Sequence, residues 1–346
     1  MLPLSPLPRT LQAALRDVHH AKLSVRGSAL RDLARLSLGD DRQVALAALA
    51  KALREDGEPS VRAGAAVALA DAEAQECIEA ITLATRDESD HVRQMALIAL
   101  GEVARPGDEG ARAAAERGLC DAAPAIRYQA LIAIYRVCGE DAVAVVLERL
   151  SDADEQIRYV ALRLLEEHWL EEPAAPRADR ALEPAALERV RPALEDSSEA
   201  VRLAAAILLA RAGDSAGQGA LIAAVNSRRA AREPEDEHAA VELAGELKLE
   251  AARRGLERRA FSGLLSRDRF AWQARVALAK MGDKRAKRSI LRDLKAWTRD
   301  TRTLAVAAAG RAQLVEARQL LRAMRGDEKI ADPHAVDSAL AELGET

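Results

Sequence analysis

The sequence predicts an all-α solenoid, a stack of short helical hairpins. Three observations carry that reading. Six Val/Ile-Arg pairs recur along the chain: Val25-Arg26, Val61-Arg62, Val92-Arg93, Ile126-Arg127, Ile157-Arg158 and Val201-Arg202. Their arginines stand 36, 31, 34, 31 and 44 residues apart, the period of one repeated supersecondary unit rather than of a core built from distant segments. The last five arginines each have an aspartate six residues earlier, giving Asp56/Arg62, Asp87/Arg93, Asp121/Arg127, Asp152/Arg158 and Asp196/Arg202. Third, every arginine opens an Ala/Leu-rich run with helical spacing.

Counted from the arginine, position +3 is alanine in all six units (Ala29, Ala65, Ala96, Ala130, Ala161, Ala205), and position +7 is aliphatic (Leu33, Leu69, Leu100, Ile134, Leu165, Leu209). Positions +3, +7 and +10 share one helical face, and the small +3 side chain lets a neighbouring helix approach closely. These runs are the arginine helices, for example Val61–Ala72, Val92–Ala104 and Val201–Ala212. A companion helix fills the rest of each unit, as in Arg42–Leu53, Ala142–Leu150 and Leu187–Leu194. Between companion and arginine helix lies a polar turn, Glu55-Asp56-Gly57-Glu58-Pro59-Ser60 or Ser151-Asp152-Ala153-Asp154, rich in turn-forming and N-capping residues. About eight to nine such hairpins fit the chain.

Two segments stretch the period. Residues 171–184 contain three prolines, and residues 226–237 are highly charged around Pro234; both read as surface loops. The regular part, with an N-terminal cap at about 1–22, therefore runs over 1–225, and 226–346 is a divergent, basic set of repeats ending in a cap. There Ala271 occupies a ladder-arginine place, and Arg302 restores the arginine without its aspartate.

The Asp-x5-Arg spacing, the Val-Arg-x-x-Ala start and the Gly-Asp pairs after several arginine helices (Gly39-Asp40, Gly213-Asp214, Gly282-Asp283) resemble HEAT repeats, in particular the bacterial type related to phycobilisome lyases. The resemblance covers roughly residues 11–325. It implies a right-handed superhelix with the arginine helices on its concave side, and ladder aspartates and arginines that pair within and between repeats. It implies fold more than function, because such repeats serve many roles.

The 346 residues suffice for one long solenoid. Aromatic residues make up only 2%, so packing rests on Ala, Leu and Val, and large cofactor-pocket walls are scarce; no cofactor is expected. No apolar run approaches the roughly 18–20 residues of a membrane span, and the N-terminus lacks a signal-peptide pattern, so no membrane partner and a cytoplasmic location are expected. Cys77, Cys120 and Cys138 are unclustered. High Ala and Arg usage fits a GC-rich bacterial genome. The net charge of −4 hides a split: residues 253–325 hold 20 Lys/Arg against 6 Asp/Glu, a net of +14, while residues 1–252 carry −13. Such asymmetry bears on partners rather than on fold.

Two surfaces stand out. The first lies on the arginine helices at positions +1, +5 and +9. Position +5 holds Val67, Ile98, Ile132 and Ile207, with Arg163 breaking the run; position +1 adds Tyr128, Tyr159 and Leu203. Exposed Tyr, Ile and Arg are the composition of a protein-binding surface, although superhelix curvature would also bury some of them. The second is a cationic helix face of Lys284, Arg285, Arg288, Arg292 and Lys295, opposite an apolar side of Ala286, Ile290, Leu291, Leu294 and Trp297. Cations clustered within reach of one backbone suit phosphates, and equally suit an acidic protein surface, including the chain's own N-terminal half.

No phosphate loop, nucleophile triad or zinc spacing is present. Glu167-His168 and Glu237-His238 reverse the His-Glu order of HEAT-like hydroxylases and occur only twice, and no metal site is read. The function expected is a non-catalytic adaptor binding a partner protein. The alternatives are a nucleic-acid-binding solenoid using residues 253–325, and a lyase- or hydroxylase-like enzyme.

Overall fold

The computed structural model describes residues 9–170, 184–262 and 268–345, and all regular structure there is helical. The chain divides into two compact units, residues 1–172 and 173–346. The 171–184 segment lies outside the described residues up to Pro184, where a helix begins.

Unit 1 holds α1 (Leu11–Asp17), α2 (Leu23–Leu36), α3 (Arg42–Glu55), α4 (Pro59–Asp71), α5 (Ile78–Ala84), α6 (Asp90–Val103), α7 (Glu109–Gly118), α8 (Pro124–Cys138), α9 (Val143–Glu148) and α10 (Glu155–Leu170). Unit 2 holds α11 (Pro184–Val190), α12 (Glu199–Arg211), α13 (Gln218–Asn226), α14 (Pro234–Glu246), α15 (Arg253–Ala260), α16 (Ala271–Lys280), α17 (Lys284–Asp293), α18 (Arg299–Arg311), α19 (Arg318–Met324) and α20 (Pro333–Glu342). Each odd-numbered helix pairs with the next even-numbered one, giving ten pairs among the described residues, more than the eight or nine that the sequence suggests. The arginine helices are the even-numbered ones. They pack side by side, α2 to α10 in unit 1 and α12 to α20 in unit 2, so each unit is an α-solenoid stack. The packing is close because the contact residues are small. A Cβ added to Gly101 on α6 would stand 3.2 Å from the Ala133 Cα on α8.

The ladder is a forward-reaching chain of ion pairs. Arg62 donates from Nε and Nη2 to both oxygens of Asp87, at 2.8 Å each, and from Nη1 to the Asp56 carbonyl at 2.9 Å. Arg93 does the same to Asp121 and the Asp87 carbonyl, and Arg127 to Asp152 and the Asp121 carbonyl. Arg158 and Arg202 donate to the carbonyls of Asp152 and Asp196. Each aspartate also accepts the backbone N–H two residues on, an Asx turn that starts the next arginine helix. One side chain therefore ties two turns and a neighbouring repeat together, and satisfies backbone groups that the turn would otherwise leave open. Hydrogen bonds from Arg62 hold the Asp87 carboxyl below its ordinary range despite its burial. At Asp152 burial pushes upward, but the Arg127 hydrogen bond and neighbouring charge outweigh it, and the carboxyl again ends low.

The ladder changes form in unit 2. The segment 226–237 is only partly a loop: Pro234 takes the first position of α14, and Glu235, Asp236 and Glu237 fill the first turn, where proline's missing N–H costs nothing and acidic side chains suit the helix dipole. Glu237 precedes the buried Ala240 and Ala244 by three and seven residues, which is the arginine's place. Its partner is Arg259 on α15, with Nη1 to Oε1 at 2.6 Å and both side chains 5% exposed. Arg269 also holds Glu237, and Arg259 bonds the Val225 carbonyl and reaches Asp268. The rung is inverted: the carboxylate sits on the arginine helix, the guanidinium on the companion. Burial would push the Glu237 carboxyl upward, but hydrogen bonds from Arg269 and Arg259 take it below its usual value. In α18, Arg302 keeps the arginine geometry without the aspartate, bonding the carbonyls of Ala296, Trp297, Lys329 and Ile330.

The other ends of α4, α12, α14, α16, α18 and α20 close in one pattern. After α12, for example, the Asp214 N–H bonds the Leu209 carbonyl and the Gly213 N–H bonds that of Ala210. The motif needs a positive φ. Gly213 and Gly282 supply it freely, whereas Glu73, Lys248 and Gln313 adopt it with φ of 48°, 50° and 51°.

Candidate interaction surfaces

The stripe read from the sequence divides between the units. In unit 1, Val67 is 38% exposed, while Ile98, Tyr128, Ile132, Tyr159 and Arg163 are half-buried between stacked arginine helices. The Tyr128 hydroxyl has no hydrogen-bond partner among the described residues. Arg163 pairs with the buried Glu166 on its own helix, and Arg136 pairs with Glu102 across α6 and α8. In unit 2 the stripe fails as a surface. Leu203 and Ile207 are 4% and 0% exposed and belong to the core with Leu221, Ala240 and Leu243. The reason is composition: from Leu203 to Ala210 α12 is apolar all round, and a helix without a polar face is buried on every side.

Further along unit 2 the same helix positions carry charge. Glu242, Val276 and Ala307 stand at +5, and Glu246, Lys280 and Arg311 at +9, lining a cleft of about 550 Å³ with Trp272, Gln273, Leu304 and Glu342. Its charges are cross-paired, Lys280 to Glu246 at 3.3 Å and Arg311 to Glu242 at 3.8 Å. His238 Nε2 lies 3.2 Å from Glu242, and its ring stacks on Phe270. Sequence reading missed this cleft because, without the arginine, the register of α14 is hard to set, and because the cleft forms only where α14, α16, α18 and α20 come together.

The cationic face is present where the sequence puts it. Lys284, Arg285, Arg288, Arg292 and Lys295 are exposed, and Ala286, Ile290 and Leu294 are buried beneath them. Trp297 is not on the apolar side. It stands 96% exposed in the turn after α17, because the helix ends at Asp293 and the helical register no longer applies. The arginines of α15 are largely structural: Arg253 bonds Glu250, Arg258 bonds the Asn226 and Ser227 carbonyls, and Arg259 is the buried rung. Among the described residues no three His, Cys, Asp or Glu side chains gather as a metal site, and no helix is long and apolar enough to cross a membrane. Glu237, one of the two Glu-His glutamates, is held by the arginines described above.

The recurring hairpins, the Asp–Arg ladder and the stacked arginine helices can be compared with known proteins. Residues 46–119 and 78–166 match the family model for HEAT repeats. Residues 46–166 are HEAT repeats. Among solved structures, the chain is similar to one in the complex of Kap95p with RanGDP, at 13% identity over 95% of this chain and 51% of that one, with a TM-score of 0.54. It thus spans about half the length of that relative. Two further similarities are to an engineered protein (16% identity, 96% and 98% of the two chains, TM-score 0.48) and to the CpcE–CpcF phycocyanin lyase complex of Nostoc sp. PCC7120 (17%, 74% and 96%, TM-score 0.41). At 13% identity, the likeness to the chain in the Kap95p complex concerns the fold alone. No curated protein sequence matches the chain significantly.

Proposed function

We propose that this protein is a scaffold that binds a partner protein along the arginine-helix stripe of unit 1. The observation that carries the reading is the run of Val67, Ile98, Tyr128, Ile132 and Tyr159 at equivalent places on adjacent helices, partly accessible and apolar where a solvated helix would present polar residues. The Tyr128 hydroxyl, without a hydrogen-bond partner among the described residues, and the Arg136–Glu102 pair add polar groups at its margin. The complex of Kap95p with RanGDP, one chain of which has a similar fold, gives the reading a precedent.

The test is affinity purification from the native host with wild-type protein and with a Val67→Asp/Tyr128→Ala variant. Neither substitution removes a fully buried side chain, so the melting temperature should stay within a few degrees of wild type. A co-purifying protein lost in the variant is the expected result. A partner retained by the variant at undiminished yield would defeat the proposal.

A further inference from the structure

We propose that the outward face of α17, with the turn that follows it, is a binding site for single-stranded nucleic acid. Elsewhere in this chain arginine is largely a structural residue, engaged by carboxylates or backbone carbonyls. On α17 the pattern reverses. Lys284, Arg285 and Arg288 on the helix and Lys295 in the turn after it are exposed, and among the described residues none of them is paired with a carboxylate, Arg288 donating only to the Lys284 carbonyl at 3.2 Å; Arg292 alone in this row has one, Asp293 at 2.9 Å. The helix's acids are already engaged, Asp283 by the Ala286 N–H it caps and Asp293 by Arg292 and Arg275. Lys284, Arg288 and Arg292 are each four residues apart, a row with a pitch of about 6 Å along the axis. Arg285 is braced over the Phe261 ring, 3.8 Å from its centroid, which holds the guanidinium at the edge of the same face.

Folding does not account for this arrangement. Lys284 and Arg285 lie in the first turn, where the positive end of the helix dipole disfavours cations. A solvated face chosen for stability would carry acids there. The arrangement makes sense where a polyanion supplies the missing negative charge.

Trp297 decides which polyanion. The turn beneath it is fixed, because Arg302 holds the carbonyls of Ala296 and Trp297 at 2.8 and 2.9 Å, yet the indole is 96% exposed. An aromatic ring projecting from a braced turn at the end of a cation row is a platform for an unstacked base beside a tracked backbone. Duplex would engage the cations but keep its bases stacked. A membrane surface would need an apolar face to insert, and Trp297 is the only large exposed apolar side chain among residues 284–300.

The test is fluorescence anisotropy of labelled oligo(dT) and oligo(U), with a mixed-sequence duplex as comparison, across a salt series. Wild-type protein should bind single strands more tightly than duplex, and a preference between the two oligomers would identify DNA or RNA as the source. Trp297→Ala should weaken single-strand binding by about tenfold and leave the salt dependence unchanged, since stacking carries no charge. The Lys284→Gln/Arg288→Gln pair should flatten the slope of log K against log salt by about 0.7 for each phosphate no longer neutralised. All three positions are exposed, so melting temperatures should match wild type. Absence of binding at low salt, equal affinity for duplex, or an unchanged affinity in Trp297→Ala would each overturn the assignment. So would capture by phosphatidylserine vesicles without oligonucleotide binding.

Discussion

The junctions between repeats from α4 to α8 and the junction between α14 and α15 solve one problem with opposite charges. In the first, Arg62, Arg93 and Arg127 reach forward from the arginine helix to Asp87, Asp121 and Asp152. In the second, Glu237 occupies the arginine's place and Arg259 comes from the companion helix. The repeat therefore requires a paired charge tying adjacent turns, not an arginine at a given position. The cost of inversion is depth. A guanidinium on a long stem reaches carbonyls at the rim of the turn, whereas the shorter Glu237 draws its partner inward until both side chains are 5% exposed. The inverted rung should accordingly be the more sensitive to truncation.

Removing the arginine from each kind of rung should give the largest effects. Arg259→Ala leaves Glu237 buried with Arg269 and the Ala231 N–H, and should cost about 3–5 kcal/mol in urea unfolding. Arg127→Ala removes a more exposed arginine, 14% against 5% for Arg259, and should cost about 2–3 kcal/mol. Equal losses would mean that the inversion has no energetic consequence. Unit 1 and unit 2 transitions should be followed separately, by probes in each, because two compact units need not unfold together.

Acid titration gives a smaller, distributed effect. Asp87, Asp121, Asp152 and Glu237 all have carboxyls lowered by folding. A lowered folded-state value means stability that is present above the unfolded-state value and lost as pH falls through the folded one. Stability should be flat down to about pH 5 and decline below about pH 4. Asp152→Asn and Glu237→Gln should each shallow that decline; a variant with the wild-type slope would remove its rung from the account.

The smallest effect concerns the helix ends. Lys248 holds a φ of 50° in the place where Gly213 and Gly282 hold 83° and 84°. Lys248→Gly should stabilise by about 1 kcal/mol by relieving the left-handed strain, and Gly213→Ala should destabilise by a similar amount. A destabilised Lys248→Gly would show that its side chain contributes something beyond the turn.

Repeat architecture, the identity of the ladder residues and the cationic face were all readable in one dimension. Each depends on spacing along a single chain: the helical period fixes which residues share a face, and a fixed distance between Asp and Arg recurs wherever the hairpin recurs. Where the sequence departs from that spacing its message weakens. Glu237, in a charged segment that reads as a loop, forms a helix start and a buried ion pair, because Arg259 approaches it from another helix. Leu203 and Ile207 obey the stripe's spacing yet are buried, since neighbouring helices cover α12 on faces that periodicity alone cannot show to be occupied.

An all-helical solenoid, its repeat boundaries from Arg26 to Arg202, and the cation row of α17 thus follow from the order of residues alone. Three outcomes waited on folding: which apolar stripe residues remain accessible, that Arg259 is consumed as an inverted rung, and that Trp297 projects into solvent. Pattern along a helix fixes the direction of a side chain, whereas burial and charge pairing depend on what other segments bring to that direction.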